Sequence, residues 1–302
     1  MILKVRSESN ELLCMRHLNA RMELTGADKF NYLAHEKGYE GEVAFDQLTE
    51  SLQEERYFIN DLLLNVNHSY FQIDSMIISQ GVIYLFEIKN FEGDYYLEEN
   101  QLYSVTSKYE NKNPVDQLKR SATLFRQLLQ TQKLDFLVES LVVFINPNFT
   151  LYQAPIDQPI IFPTQVNRFL NKLNNTPSRL NAGHKKLAQT LLSLHQTKNP
   201  FVNIPEYNFE QLRKGIYCMS CQSFSILLKG HSIVCERCGG HEKIEQAILR
   251  NVEEVKRLFP NQKITAQFMY DWCKLNICKK TLSRILKNNY QMFGNAKDTH
   301  YK

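Results

Sequence analysis

The chain has 302 residues, 43% of them hydrophobic and 23% charged, with a net charge of +4. That composition leaves room for a sizeable buried core and for two or three domains. No apolar run approaches the roughly 20 residues that span a bilayer, and the mild positive charge permits nucleic acid as a partner without requiring it.

In chain order, the first strong helix is expected over residues 36–52, where Gly41, Phe45, Leu48 and Leu52 recur at helical spacing. Gly38 and Gly41 flank its start and permit a close backbone approach. Three strand-like runs follow: Tyr57–Leu64, Gln72–Ser79 and Val82–Asn90, the last two joined by a Gln80-Gly81 turn that reads as a hairpin. Gly93 turns the chain into Asp94–Glu98, which Leu102–Val105 can pair. Pro114 suits the first turn of a second helix, with Val115, Leu118, Ala122, Phe125 and Leu129 as its apolar stripe. Ser140–Ile145 then reads as a buried strand ended by Asn146-Pro147. This order predicts an α/β fold, a mixed sheet covered by helices.

The third strand carries an unusual end. Residues two apart in a strand share a face, so Glu87 and Lys89 continue the side of Ile83 and Leu85. A carboxylate and an ammonium at the end of an apolar strand are costly to bury unless paired or bound to something. Asp74 lies in the neighbouring apolar strand, and a hairpin would let Asp74 and Glu87 converge. Two such carboxylates suit Mg²⁺ or Mn²⁺, which prefer oxygen ligands and can polarise a phosphate. Lys89 could orient water or stabilise phosphate charge.

The stretches GYEGE (38–42), QID (72–74), FEIKNFEG (86–93) and NPVDQL (113–118) resemble the nuclease-related domain (NERD) family, itself similar to the PD-(D/E)xK nucleases. The resemblance covers about residues 35–150. It implies a restriction-endonuclease-like fold and a metal-dependent nuclease acting on DNA, with RNA left open. Carried over, it makes Asp74 and Glu87 the metal-binding carboxylates and Lys89 the catalytic lysine. It makes Glu42 an outer acidic residue that helps hold metal or water, and Gln117 the glutamine that accompanies the site. Ile73 stands where the broader class has proline. The competing expectation is a non-catalytic nucleic-acid-binding or protein-docking module on a nuclease-like scaffold.

Cys218-x-x-Cys221 and Cys235-x-x-Cys238 are separated by residues 222–234, which read as a hairpin around Gly230. Two such turns can surround Zn²⁺ with four thiolates in a closed, structural site, a zinc ribbon. Such a module also offers a protein-docking surface. With no apolar export segment at the start, reduced thiols in the cytoplasm are expected. From His241 onward there are 12 Lys or Arg against 6 Asp or Glu, a net of +6. Ile264–Leu275 and Thr281–Tyr290 read as two helices resembling a helix-turn-helix. Lys279, Lys280, Arg284 and Lys287 would face nucleic acid, while Trp272 reads as core. The expected division is therefore a nuclease-like domain over 1–150, a mixed extension or linker over 151–215, a zinc ribbon over 216–240 and a basic helical module over 241–302.

Overall fold

The computed structural model describes residues 1–295 and 298–302. Its elements begin with β1 (Ile2–Lys4), α1 (Asn10–Arg21), α2 (Gly26–Thr49), β2 (Tyr57–Val66), β3 (Ser69–Ile78) and β4 (Ile83–Lys89). They continue with β5 (Gly93–Glu98), β6 (Gln101–Ser104), β7 (Glu110–Asn111), α3 (Pro114–Thr131), β8 (Val138–Phe144), β9 (Phe149–Tyr152), β10 (Ile160–Ile161), α4 (Pro163–Asn174) and α5 (Ala182–Ser193). The last part holds β11 (Ile226–Lys229), β12 (Ser232–Cys235), β13 (His241–Lys243), α6 (Ile244–Leu258), α7 (Ala266–Cys273), α8 (Lys279–Asn289), β14 (Met292–Phe293) and β15 (His300–Tyr301).

The chain forms two compact units, Met1–Glu8 with Ala34–Val202, and Ser9–Leu33 with Asn203–Lys302. The first unit is built on a mixed six-stranded sheet in the order β1-β2-β3-β4-β8-β10. The β2-β3-β4 meander is antiparallel, and β8 joins β4 in parallel after the α3 crossover. One face packs on Ala122, Phe125 and Leu129 of α3 and on Leu187 and Leu191 of α5. Phe45 of α2 and Val166, Leu170 and Leu173 of α4 cover the other with Phe86, Ile88 and Val143. A smaller sheet, β7-β6-β5-β9, is seated through Phe149, which stacks on Phe144 at 3.9 Å. Residues 151–202 thus complete this unit, through β10, α4 and α5.

The second unit contains a three-stranded β11-β12-β13 sheet and the helices α1, α6, α7 and α8. Its centre is Arg21, which is 2% exposed and bonded in a fork to the buried Glu254 at 2.6 and 2.8 Å. The guanidinium also donates to Asn251 at 2.9 Å and to the carbonyls of Arg213 and Gly215, and lies 4.0 Å from the Trp272 ring centroid. A buried guanidinium is tolerated only when its donors are satisfied in this way.

Several expectations shift. The first long helix, α2, starts at Gly26 rather than near 36, so Gly38 and Gly41 lie inside it. Leu48 of its expected stripe is 37% exposed, whereas Phe45 is fully buried. Residues 9–33, placed with the first 150 by the sequence division, cluster with the C-terminal hundred because α1 carries Arg21. Helices α1 and α6 were not anticipated, and the ribbon gains a third strand, β13. Trp272 is core, with no exposed surface.

Candidate functional site

The β3–β4 ladder runs from Ile78 opposite Ile83 to Ser75 opposite Phe86 and stops there. The next residues of the two strands are Asp74 and Glu87, so the sheet opens as a fork at these two carboxylates. Glu87 and Lys89 pair across β4–β8 with Val142 and Phe144, which pack under Val115 and Leu118 of α3. They therefore face α3, whose exposed Gln117 accepts from Lys89 Nζ at 3.2 Å. Glu42 reaches the fork from α2 on the opposite side of the sheet.

Asp74 sits between these groups. Its Oδ2 accepts from the Ile88 N–H at 2.8 Å, which turns the carboxylate toward β4. Lys89 Nζ stands 2.7 Å from the buried Glu87 Oε1 and forms an ion pair with it. Close approach of α2 is made possible by Gly41: a Cβ built there would stand 2.5 Å from Asn90 Cβ. Gly38 meets nothing, so only one of the two glycines serves that purpose.

The electrostatics follow from burial. Desolvation, with the Asp74 charge added, pushes Glu42 up to about 8 and Glu87 up to about 7. Asp74 is raised too, chiefly by burial, against the opposing pull of Lys89 and the Ile88 N–H. Burial works against the Lys89 ammonium, yet Glu87 and Asp74 outweigh it and hold Lys89 above its ordinary value. With Asp74, these two glutamates form a buried oxygen-donor set beside the Lys89 ammonium, the donor chemistry a hard divalent cation takes. Among the described residues, however, Glu42, Asp74 and Glu87 do not close into a cluster of three donors within 4.8 Å; the four cysteines alone do so.

A pH prediction follows. Raised carboxyls stabilise the fold below their unfolded values near 4.5, and that contribution is lost as pH rises through about 7 to 8. For Glu87 alone the swing is on the order of 3 kcal/mol. Between pH 5 and 8, without divalent ions, wild type should lose more stability than Glu87→Gln in urea unfolding followed by circular dichroism. Identical drift in both proteins, without metal, contradicts this electrostatic account.

In the second unit, the Sγ atoms of Cys218, Cys221, Cys235 and Cys238 all lie within 4.8 Å of one another. Cys218–Cys238 and Cys221–Cys235 are each 3.5 Å apart, close to the roughly 3.8 Å edge of a zinc tetrathiolate with 2.3 Å bonds. The two turns repeat one design. Gln222 N–H returns to Cys218 O and Gly239 N–H to Cys235 O, both at 2.9 Å, with φ of +57° and +73°. The N–H of Cys238 above all lowers the Cys235 thiol to about 6. This cluster fits a zinc ribbon. His231 and His241 are outside it.

On α8, Lys279 bonds Gln267 at 2.5 Å, whereas Lys280, Arg284 and Lys287 are exposed and make no ion pair among the described residues. Arg6 and Asp46 belong to the environment of the first site and were not foreseen. Arg6 binds Glu42 at 2.6 Å and Asp46 at 2.8 and 3.0 Å. The one available signal was Asp46 standing four residues after Glu42, one helical turn on.

Residues 37–145 match the nuclease-related domain. The match takes in the fork, α2 from Lys37 onward, α3 and β8, and leaves Arg6 and the whole ribbon outside it. It supports a nuclease-related scaffold and the binding of nucleic acid. No curated protein matches the chain. Among the described residues, no helix is long and apolar enough to cross a membrane.

Proposed function

We propose that the nuclease-related domain is catalytically active and hydrolyses DNA phosphodiester bonds with the help of Mg²⁺ or Mn²⁺. What carries the reading is the meeting of Asp74, Glu87 and Lys89 at the open end of the β3–β4 ladder, inside the segment that matches the family. A divalent cation, when bound, supplies Lewis-acid polarisation of the phosphate and eases deprotonation of water. Asp74 and Glu87 would hold it. Lys89 would place its ammonium against the charge that develops on the phosphate, with Gln117 fixing its direction. Glu42 would orient water from the α2 side. The ribbon acts as a Zn²⁺ staple for its unit, and the compartment we propose is the cytoplasm, where free thiols persist.

The test is nicking of supercoiled plasmid with Mg²⁺ or Mn²⁺ by wild type, Glu87→Gln and Lys89→Ala. Wild type should cut and both variants should not. Equal cutting by all three rejects this site.

The α7–α8 pair would present Lys280, Arg284 and Lys287 to the DNA backbone as a helix-turn-helix does, giving affinity without sequence choice. Replacing all three by Ala should lower the slope of log K against log salt by about 2 to 3. A slope equal to that of wild type in a binding titration removes α8 as a phosphate-contacting element.

A further inference from the structure

Strands β2 and β3 lose phase at the same level. Ile59 and Leu62 are three apart in β2, yet both lie in one apolar cluster on the α3 side; Ile73 and Met76 repeat this in β3. A regular strand would put residues three apart on opposite faces. Pairing nevertheless holds register across the slip, with Asn60 opposite Ser75 and Leu62 opposite Ile73. The residues within it are Asp61 and Asp74. Asp61 has φ +54°, a left-handed conformation that a non-glycine residue keeps only where its surroundings enforce it.

The enforcing groups come from the N-terminal segment. Lys4 Nζ donates to the carbonyls of Asn60 at 2.9 Å and Asp61 at 2.7 Å. Arg6 Nη2 donates to the carbonyl of Asp74 at 2.8 Å. The other guanidinium donors hold Glu42 and Asp46, so Arg6 ties α2 to the same spot while only 8% exposed. Three carbonyls of the break are thus taken by two cations two residues apart in sequence. Buried carbonyls without partners are penalised, and here ammonium and guanidinium replace the interrupted ladder.

We infer that Lys4 and Arg6 are positioning residues that clamp a paired break in β2 and β3 and so aim Asp74 into the fork beside Glu87 and Lys89. Both precede the segment that matches the nuclease-related domain. The clamp itself is a statement about the sheet; its bearing on catalysis rests on the function proposed above.

The test uses the full chain with Arg6→Met, Lys4→Gln and the conservative Arg6→Lys. Amide hydrogen exchange over 57–66 and 69–78 should speed up about tenfold or more in Arg6→Met and Lys4→Gln, while β8 and α3 keep their protection. The Mn²⁺ affinity by calorimetry should weaken about 10- to 100-fold in Arg6→Met and partly recover in Arg6→Lys. A merely structural Arg6 would destabilise the whole unit evenly, speeding exchange in β8 and α3 as well. That even pattern, or folded variants with wild-type exchange at the break, overturns the proposal. If Arg6→Met does not fold, Lys4→Gln and Arg6→Lys decide by the same exchange pattern. Should wild type neither bind Mn²⁺ nor cut DNA, the nuclease reading falls and the clamp is judged by exchange alone.

Discussion

Stripping zinc from the chain, or replacing Cys235 by Ser, is expected to destabilise the second unit by at least about 5 kcal/mol. Structural zinc contributes about 10–16 kcal/mol of apparent binding energy in isolated fingers, all of it coupled to folding. The ribbon has little else: three short strands with Ile233 and Val234 as their buried apolar residues. The loss would spread, because Tyr217 adjoins Cys218, takes the guanidinium of Arg21 over its ring at 5.3 Å and offers its carbonyl to Arg250. Trp272, the only tryptophan, lies on Arg21 and reports this unit. Elemental analysis should find one zinc per chain in wild type and none in Cys235→Ser. The transition seen by Trp272 emission should move down accordingly. Zinc-free wild type with an unmoved transition would refute the tetrathiolate.

The second large effect concerns Glu87 and Lys89. Glu87→Gln and Lys89→Ala are each expected to lower kcat for plasmid cleavage by 10³-fold or more, about 4 kcal/mol of transition-state stabilisation, with KM little changed. The reason is position. Glu87 is 2% exposed at the end of β4, too deep to hold DNA far from the reacting phosphate. Its partner Lys89 is held between Glu87 at 2.7 Å and Gln117 at 3.2 Å. The contrast is the triple alanine variant of Lys280, Arg284 and Lys287, whose exposed cations would contribute to ground-state binding, so its KM should rise while kcat stays. Steady-state kinetics on one substrate separates the two patterns. A Glu87→Gln enzyme whose loss lay entirely in KM would remove Glu87 from the chemistry.

The sequence disclosed what local spacing encodes. Alternation placed Glu87 and Lys89 on one strand face, and the β3–β4 meander with Asp74 beside them came from two apolar runs around Gln80-Gly81. The four cysteines were legible because two identical turns recur at a fixed distance. Other features depended on partners far away in the chain. Arg21 and Glu254 are 233 residues apart, and nothing near either one announces the other. The phase slip at Asp61 and Asp74 leaves the apolar pattern of each strand plausible by itself and emerges only when both are laid in register. Helix α6 is encoded locally, since Ala247, Ile248, Val252, Val255 and Leu258 form an apolar stripe.

The placement of α1 also sets a schedule for biosynthesis. The counter-ion of Arg21, Glu254, is made 233 residues after it, roughly 10–50 s at ordinary elongation rates. Through that interval the nascent amphipathic helix, with Leu12, Met15 and Leu18 on its sticky side, has no finished home. The β2–β10 sheet can assemble in the meantime, so residues made much later close the unit that α1 began.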